Sequence, residues 1–169
     1  MIPLLKFKVK ENKPPDLARD AWRKACKKAF VAICWHWHKH MLPRHFEPSA
    51  RHRYNHKPRS RKWNDRKQAL AKRGIAAMGG MVDNVFKGHM MEALKRSAVV
   101  RGFPTRGRLS MFGPNYMKIN FRGSSNQPNK KAEVVKLTKP ELQELLRLFK
   151  KVMIEETNKA RATRTTTIG

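Results

Sequence analysis

The sequence predicts an α+β fold: two long amphipathic helices packed on a small antiparallel sheet, with a basic extended arm. Three observations predict it. Apolar residues recur at helical spacing near both ends of the chain, at Trp22, Cys26, Phe30, Ile33, Trp37 and Met41, and again at Leu142, Leu145, Leu146, Phe149, Val152 and Met153. Between them lie short β-branched and aromatic runs separated by Gly and Pro. Residues 44–73 hold eleven Lys or Arg against two acids, Glu47 and Asp65, with Phe46, Tyr54 and Trp63 interleaved.

Taken in order, residues 1–15 form an apolar and basic arm ending at Pro14-Pro15. Asp16 is placed to cap the first helix, 16–42, which Pro43 stops because proline lacks the donor that a continuing helix needs. Pro48-Ser49 opens a short turn through Arg51, His52 and Tyr54, and Pro58 closes it. A second, exposed basic helix spans 63–72 and ends at Gly74; Gly79-Gly80 marks a break. The spacing of Met81, Val82, Val85, Phe86, Met90 and Leu94 predicts a helix over 81–96, weakest at Gly88. Strands are expected at 97–103, 109–112 and 116–121, around turns at 104–108 and Gly113-Pro114. After a polar loop at 122–131, one more strand is expected at 132–137. Thr138-Lys139-Pro140-Glu141 reads as a capping box with Pro in the first turn, opening the last helix, 139–157. Residues 158–169, rich in Thr and Arg, read as an extended tail. The expected organisation is therefore an N-terminal arm, a single α+β domain over 16–157 with a basic insertion at 43–74, and a C-terminal tail.

Thirty-nine basic residues against twelve acidic ones give a formal charge of +27 over 169 residues. The excess is spread along the chain: residues 1–73 carry 21 basic and 5 acidic side chains, and the remainder 18 and 7. Self-repulsion on this scale is relieved by a polyanion or by acidic faces of neighbouring subunits. Cys26 and Cys34, eight positions apart on one helix, are separated by about 12 Å of rise. A disulfide needs Cα atoms within about 7 Å, so both are expected as free, buried thiols. No apolar run approaches the roughly 20 residues that cross a bilayer, so no membrane partner is expected.

The chemistry-bearing residues point away from catalysis. His36 and His40 share a helix face, but no acid or cysteine stands at the spacing of a third ligand, so no metal site is expected. His52, Asn55 and His56 lack the carboxylate of a metal-dependent nuclease. No nucleophile elbow, phosphate loop or dinucleotide fingerprint is present. No enzyme activity and no cofactor are expected. The residues expected to contact nucleic acid or neighbouring subunits lie in the basic segment: Arg44, Arg51, Arg53, Tyr54, Arg59, Arg61, Lys62, Trp63, Arg66 and Lys67. The cations would meet phosphates or carboxylates, and the aromatics would stack on bases or pack beneath the arginines.

The run Leu42-Pro43-Arg44-His45-Phe46, followed by Ala50-Arg51, Arg53-Tyr54 and Pro58-Arg59-Ser60-Arg61, resembles a motif of the tail-completion and head–tail joining proteins of tailed phages. The order of elements after it adds to the resemblance: Gly79-Gly80, a helix, short strands with Gly113-Pro114 and Tyr116, then Glu133-Val134-Val135 and a Thr-capped helix carrying Glu141 and Leu145. The resemblance covers about 16–157. It implies a structural virion protein of the neck, assembled in the host cytoplasm. Such a subunit forms a homo-oligomeric ring, of about six or twelve copies, between portal or adaptor and tail proteins, around a channel for double-stranded DNA. Composition alone favours a ribosomal or mitoribosomal rRNA-binding protein, the alternative reading, and a non-specific architectural DNA-binding protein comes third.

Overall fold

The computed structural model describes residues 2–8, 14, 17–56, 60–74, 89–112 and 130–168, and over them the fold is α+β. In place of one domain over 16–157, packing divides the chain into two compact units. One is drawn from residues 1–2, 38–98 and 111–138, the other from 3–37, 99–110 and 139–169. The expected cap at Asp16, the turn residue Pro58, the Gly79-Gly80 break, the first half of the helix at 81–96 and the strand at 116–121 lie outside the described residues.

The helix–sheet unit contains β1 (Ile2–Phe7), α1 (Arg19–His36), β2 (Val99–Phe103), β3 (Arg106–Met111) and α6 (Lys139–Ile168). The remaining helices, α2 (Ala50–Arg53), α3 (Arg61–Lys72), α4 (His89–Arg96) and α5 (Lys130–Val134), belong to the other unit. Helix α1 starts three residues later than expected, with Ala18 at its N-cap and Asp20 in the first turn to offset the helix dipole. Its buried stripe is Ala25, Cys26, Ala29, Phe30, Ile33 and Cys34. Helix α6 answers with Glu141, Leu145, Phe149, Met153 and Thr157, buried at intervals of four. Phe30 and Phe149 meet with ring centroids 5.0 Å apart. The pairs His36–Glu144, at 2.7 Å, and Lys28–Glu156 show that the helices run antiparallel. The hydrogen bond from Lys28 is the main reason the Glu156 carboxyl is held below the usual range. Cys26 and Cys34 are free and buried, and burial pushes the Cys34 thiol up to about 12.

The sheet has the strand order β1-β3-β2, with β2 and β3 antiparallel from Val99 opposite Ser110 to Phe103 opposite Arg106. The N-terminal segment expected as an arm is thus an edge strand. Helix α1 lies on one sheet face at two glycines. A Cβ at Gly102 would stand 2.4 Å from the Lys27 carbonyl oxygen, and one at Gly107 would stand 2.9 Å from Cys34 Sγ. No side chain larger than hydrogen fits there without moving the helix.

The tail expected as extended from 158 instead continues α6 to Ile168. No Gly or Pro follows Pro140 within the helix. The threonine hydroxyls fold back on the helix: Thr157 Oγ1 donates to the Ile154 carbonyl at 3.0 Å and Thr163 Oγ1 to that of Lys159 at 2.9 Å. The hydroxyls are thus satisfied within the helical conformation.

In the other unit, α1 passes into a π turn at Trp37–Met41 and a 3-10 turn at Leu42–Phe46. The expected helix to residue 42 changes form here because the ring of Pro43 collides with the carbonyl four residues back, and a widened turn relieves it. Trp37, Met41 and Leu42 are fully buried. Segment 132–137, expected as a strand from its Glu-Val-Val run, contains the end of helix α5. Val134 and Glu133 are buried, and α5 packs on the 3-10 turn, so tertiary burial overrides a modest strand preference. No helix among the described residues is long and apolar enough to cross a membrane.

Candidate nucleic-acid or subunit interface

Over its described residues, 44–56 and 60–73, the basic segment is folded, not an extended arm. It runs through the 3-10 turn, then α2, then α3. Its anchor is a stack of three rings. His45 and Tyr54 lie with centroids 3.8 Å apart and planes 14° from parallel; His56 follows at 5.7 Å from Tyr54 and 6.2 Å from His45. All three are buried. The backbone closes around them, with Tyr54 N–H donating to the Ala50 carbonyl at 2.9 Å and His56 N–H to that of Arg51 at 3.1 Å. Between the two rings, Asn55 takes φ 46, a left-handed conformation that asparagine tolerates. Its carbonyl accepts from Lys136 Nζ at 2.9 Å.

The expected contact residues therefore separate. Tyr54 is core and offers no face to a base. Lys67, expected at a surface, is the buried residue of α3, because it occupies the side that the helix turns inward. Arg53 pairs with Glu47 at 3.0 Å, and Ser49 Oγ donates to the same carboxylate oxygen at 3.3 Å. Arg44 and Arg51 are half-buried, and Arg59 lies outside the described residues. Arg61, Lys62 and Arg66 remain exposed on α3 and share the side opposite Lys67, joined by Lys72 and Arg73 at its end. Trp63 borders them, 39% exposed. Ser60 starts α3, its hydroxyl oxygen accepting from Trp63 N–H at 3.3 Å.

Sequence reasoning missed the packing of His45 and His56: His56 it weighed only for a metal-dependent nuclease, and His45 only as part of the 42–61 motif. The alternation of His45-Phe46, Tyr54 and His56 around a turn is the signal that could have found them. His36 and His38 are drawn to different partners, Glu144 and the Leu94 carbonyl at 3.1 Å. Among the described residues no group of three His, Cys, Asp or Glu side chains is placed to hold a metal ion. The arrangement is suited to presenting fixed positive charge. The chain matches no protein-family model, no curated protein and no solved structure.

Proposed function

We propose that this chain is a non-enzymatic structural protein that assembles beside nucleic acid, as a subunit of a ring in the neck of a tailed phage. The observation that carries the reading is the buried His45–Tyr54–His56 stack. It packs residues 45–56 of the basic segment into the fold, and Arg61, Lys62 and Arg66 present their charge from a helix. A charge of +27 on one chain is compatible with close packing of copies when DNA or a neighbour's carboxylates stand against it. The sequence resemblance over 42–61 supplies the virion context. In a ring, each copy repeats the same surface around the channel, and weak contacts add through multivalency.

The test is assembly. The purified full-length chain, measured by light scattering with and without duplex DNA, is expected to form a closed oligomer that electron microscopy resolves as a ring. Mass spectrometry of disrupted virions is expected to detect the chain. A monomer under all conditions, absent from virions, overturns the proposal. Co-sedimentation with ribosomal particles after nuclease treatment would replace it with the rRNA-binding reading.

A further inference from the structure

A second basic surface forms on the sheet face turned away from α1. Gly102 and Gly107 are register partners and mark the helix side. Alternation along the strands then sends Arg101 and Phe103 of β2, and Arg106 and Arg108 of β3, to the other face. On β1, Phe7 is buried, so Lys6 and the adjacent Lys8 stand opposite it, both exposed. Strand β1 neighbours β3, which places the lysines beside the arginines. Five cations thus share one face, and residues 2–8 and 99–111 contain no acid.

The cost of this arrangement is visible in the structure. Arg101 stands directly across from Arg108 in the register, and like charges so placed destabilise a sheet. The Lys6 ammonium is held below its ordinary range, first by Arg106 and then by Lys8, with Arg108 adding to it. Arg106 lies over the Phe103 ring, 5.1 Å from its centroid, a contact that orients the guanidinium without neutralising it. The Nε atoms of Arg106 and Arg108 are buried with no hydrogen-bond partner among the described residues. Among those residues no ion pair joins any of the five to an acid.

We infer that this sheet face is a contact surface for the phosphate backbone of duplex DNA. Neighbouring strands are about 4.8 Å apart and alternate residues about 7 Å apart along a strand, so the five charges fall within a patch about 10 Å across. A duplex presents one phosphate charge per roughly 1.7 Å of axis and matches that density. Among the described residues the face holds one aromatic ring, and a guanidinium covers it, so those residues offer no open stacking platform of the kind that single strands require. Binding is therefore insensitive to base sequence. The inference rests on the proposed proximity to nucleic acid, and not on the virion or ring reading.

The experiment is a salt titration of binding between the full-length chain and a duplex of scrambled sequence. Two paired variants test the face: Lys6→Gln with Lys8→Gln, and Arg101→Gln with Arg108→Gln. Each pair is expected to lower the slope of log affinity against log salt by about 2, near one unit per lost phosphate contact. A pair with equal charge loss on α6, Lys150→Gln with Lys151→Gln, is expected to change the slope by less than about 1. The fully exposed lysine pair keeps the test valid if the arginine pair disturbs the sheet. An unchanged slope in the lysine pair, or an equal loss in the α6 pair, overturns the assignment. Tighter binding of single-stranded RNA than of duplex at the same salt overturns the partner. A chain that stays monomeric yet shows the sheet-dependent slope removes the ring and leaves this inference standing; a ring whose slope ignores the sheet does the reverse.

Discussion

The two basic surfaces of this molecule are built in opposite ways. On α3 the cations are neighbours in sequence, but a helix distributes consecutive residues around a cylinder. One of them, Lys67, is turned inward, and in the preceding turn Arg53 is neutralised by Glu47. On the sheet the cations come from three separate stretches of chain, and pairing gathers them onto one side. Charge density along a sequence and charge density on a surface are different quantities. The run that looks most basic on paper is partly spent on folding, while among the described residues no acid pairs with the sheet's cations.

The sharpest way to separate the two regions is to remove the anchor of one. Tyr54→Ala deletes the largest ring of the His45–Tyr54–His56 cluster and is expected to cost about 3 kcal/mol, as for other buried aromatics. Hydrogen exchange should show lost protection between Ala50 and Lys72, with α1 and α6 amides retained. Equal loss in both units would break the comparison.

Legibility from sequence follows the same division. Helices α1 and α6 were readable because one-dimensional spacing maps directly onto a helix face, as Phe30, Ile33, Leu145 and Phe149 show. Strand β2 was readable from Val99-Val100, whereas β3 begins at Arg106, inside the turn expected at 104–108, because its pairing with β2 runs up to a two-residue turn. The strand near Ile2 was not readable, because an edge strand is defined by a partner a hundred residues away. The sheet's charge cluster was invisible for that reason too: Lys6 and Arg106 become neighbours only through pairing. Of the contact residues expected on the arm, Arg61, Lys62 and Arg66 stand exposed, whereas Tyr54 and Lys67 are buried, which charge and spacing along the sequence do not distinguish.

The converse perturbation strikes the sheet from beneath. Gly102→Val places atoms against the Lys27 backbone, where a Cβ alone comes within 2.4 Å of a carbonyl oxygen that cannot rotate away. Overpacking of this kind is expected to cost about 3 kcal/mol. Thermal unfolding by circular dichroism should record it, and exchange at β2 and β3 should rise first. If α3 loses protection first, the two regions are not separable in this way.

Cys34 offers a milder probe of the same underside. Its thiol keeps its proton to about 12, against 9.0 for an unperturbed group. The unfolded chain releases that proton first, so the stabilising contribution is complete below about pH 9 and falls as pH rises toward 12, by about 1.4 kcal/mol per pH unit. Urea midpoints measured from pH 8 to 11 should decline more steeply in the parent chain than in Cys34→Ala. Parallel curves would show that the thiol ionises without leaving its pocket.

The smallest effect carries the opposite sign and bears most directly on function. Arg108→Thr removes one member of the like-charged pair with Arg101 and installs a residue that favours strands. If the sheet face existed only to hold the fold, losing an arginine from the face turned away from α1 should be neutral. Instead the isolated chain is expected to gain about 0.5 kcal/mol, within the usual range for a cross-strand pair, while affinity for duplex DNA falls. Added salt should shrink the gain, because screening relieves the same repulsion in the parent chain. Differential scanning calorimetry at low and high salt reads both terms. A loss of stability at low salt would mean that Arg108 packs more than it repels, and the sheet charge would then be a by-product of folding, not a surface held ready for an anion.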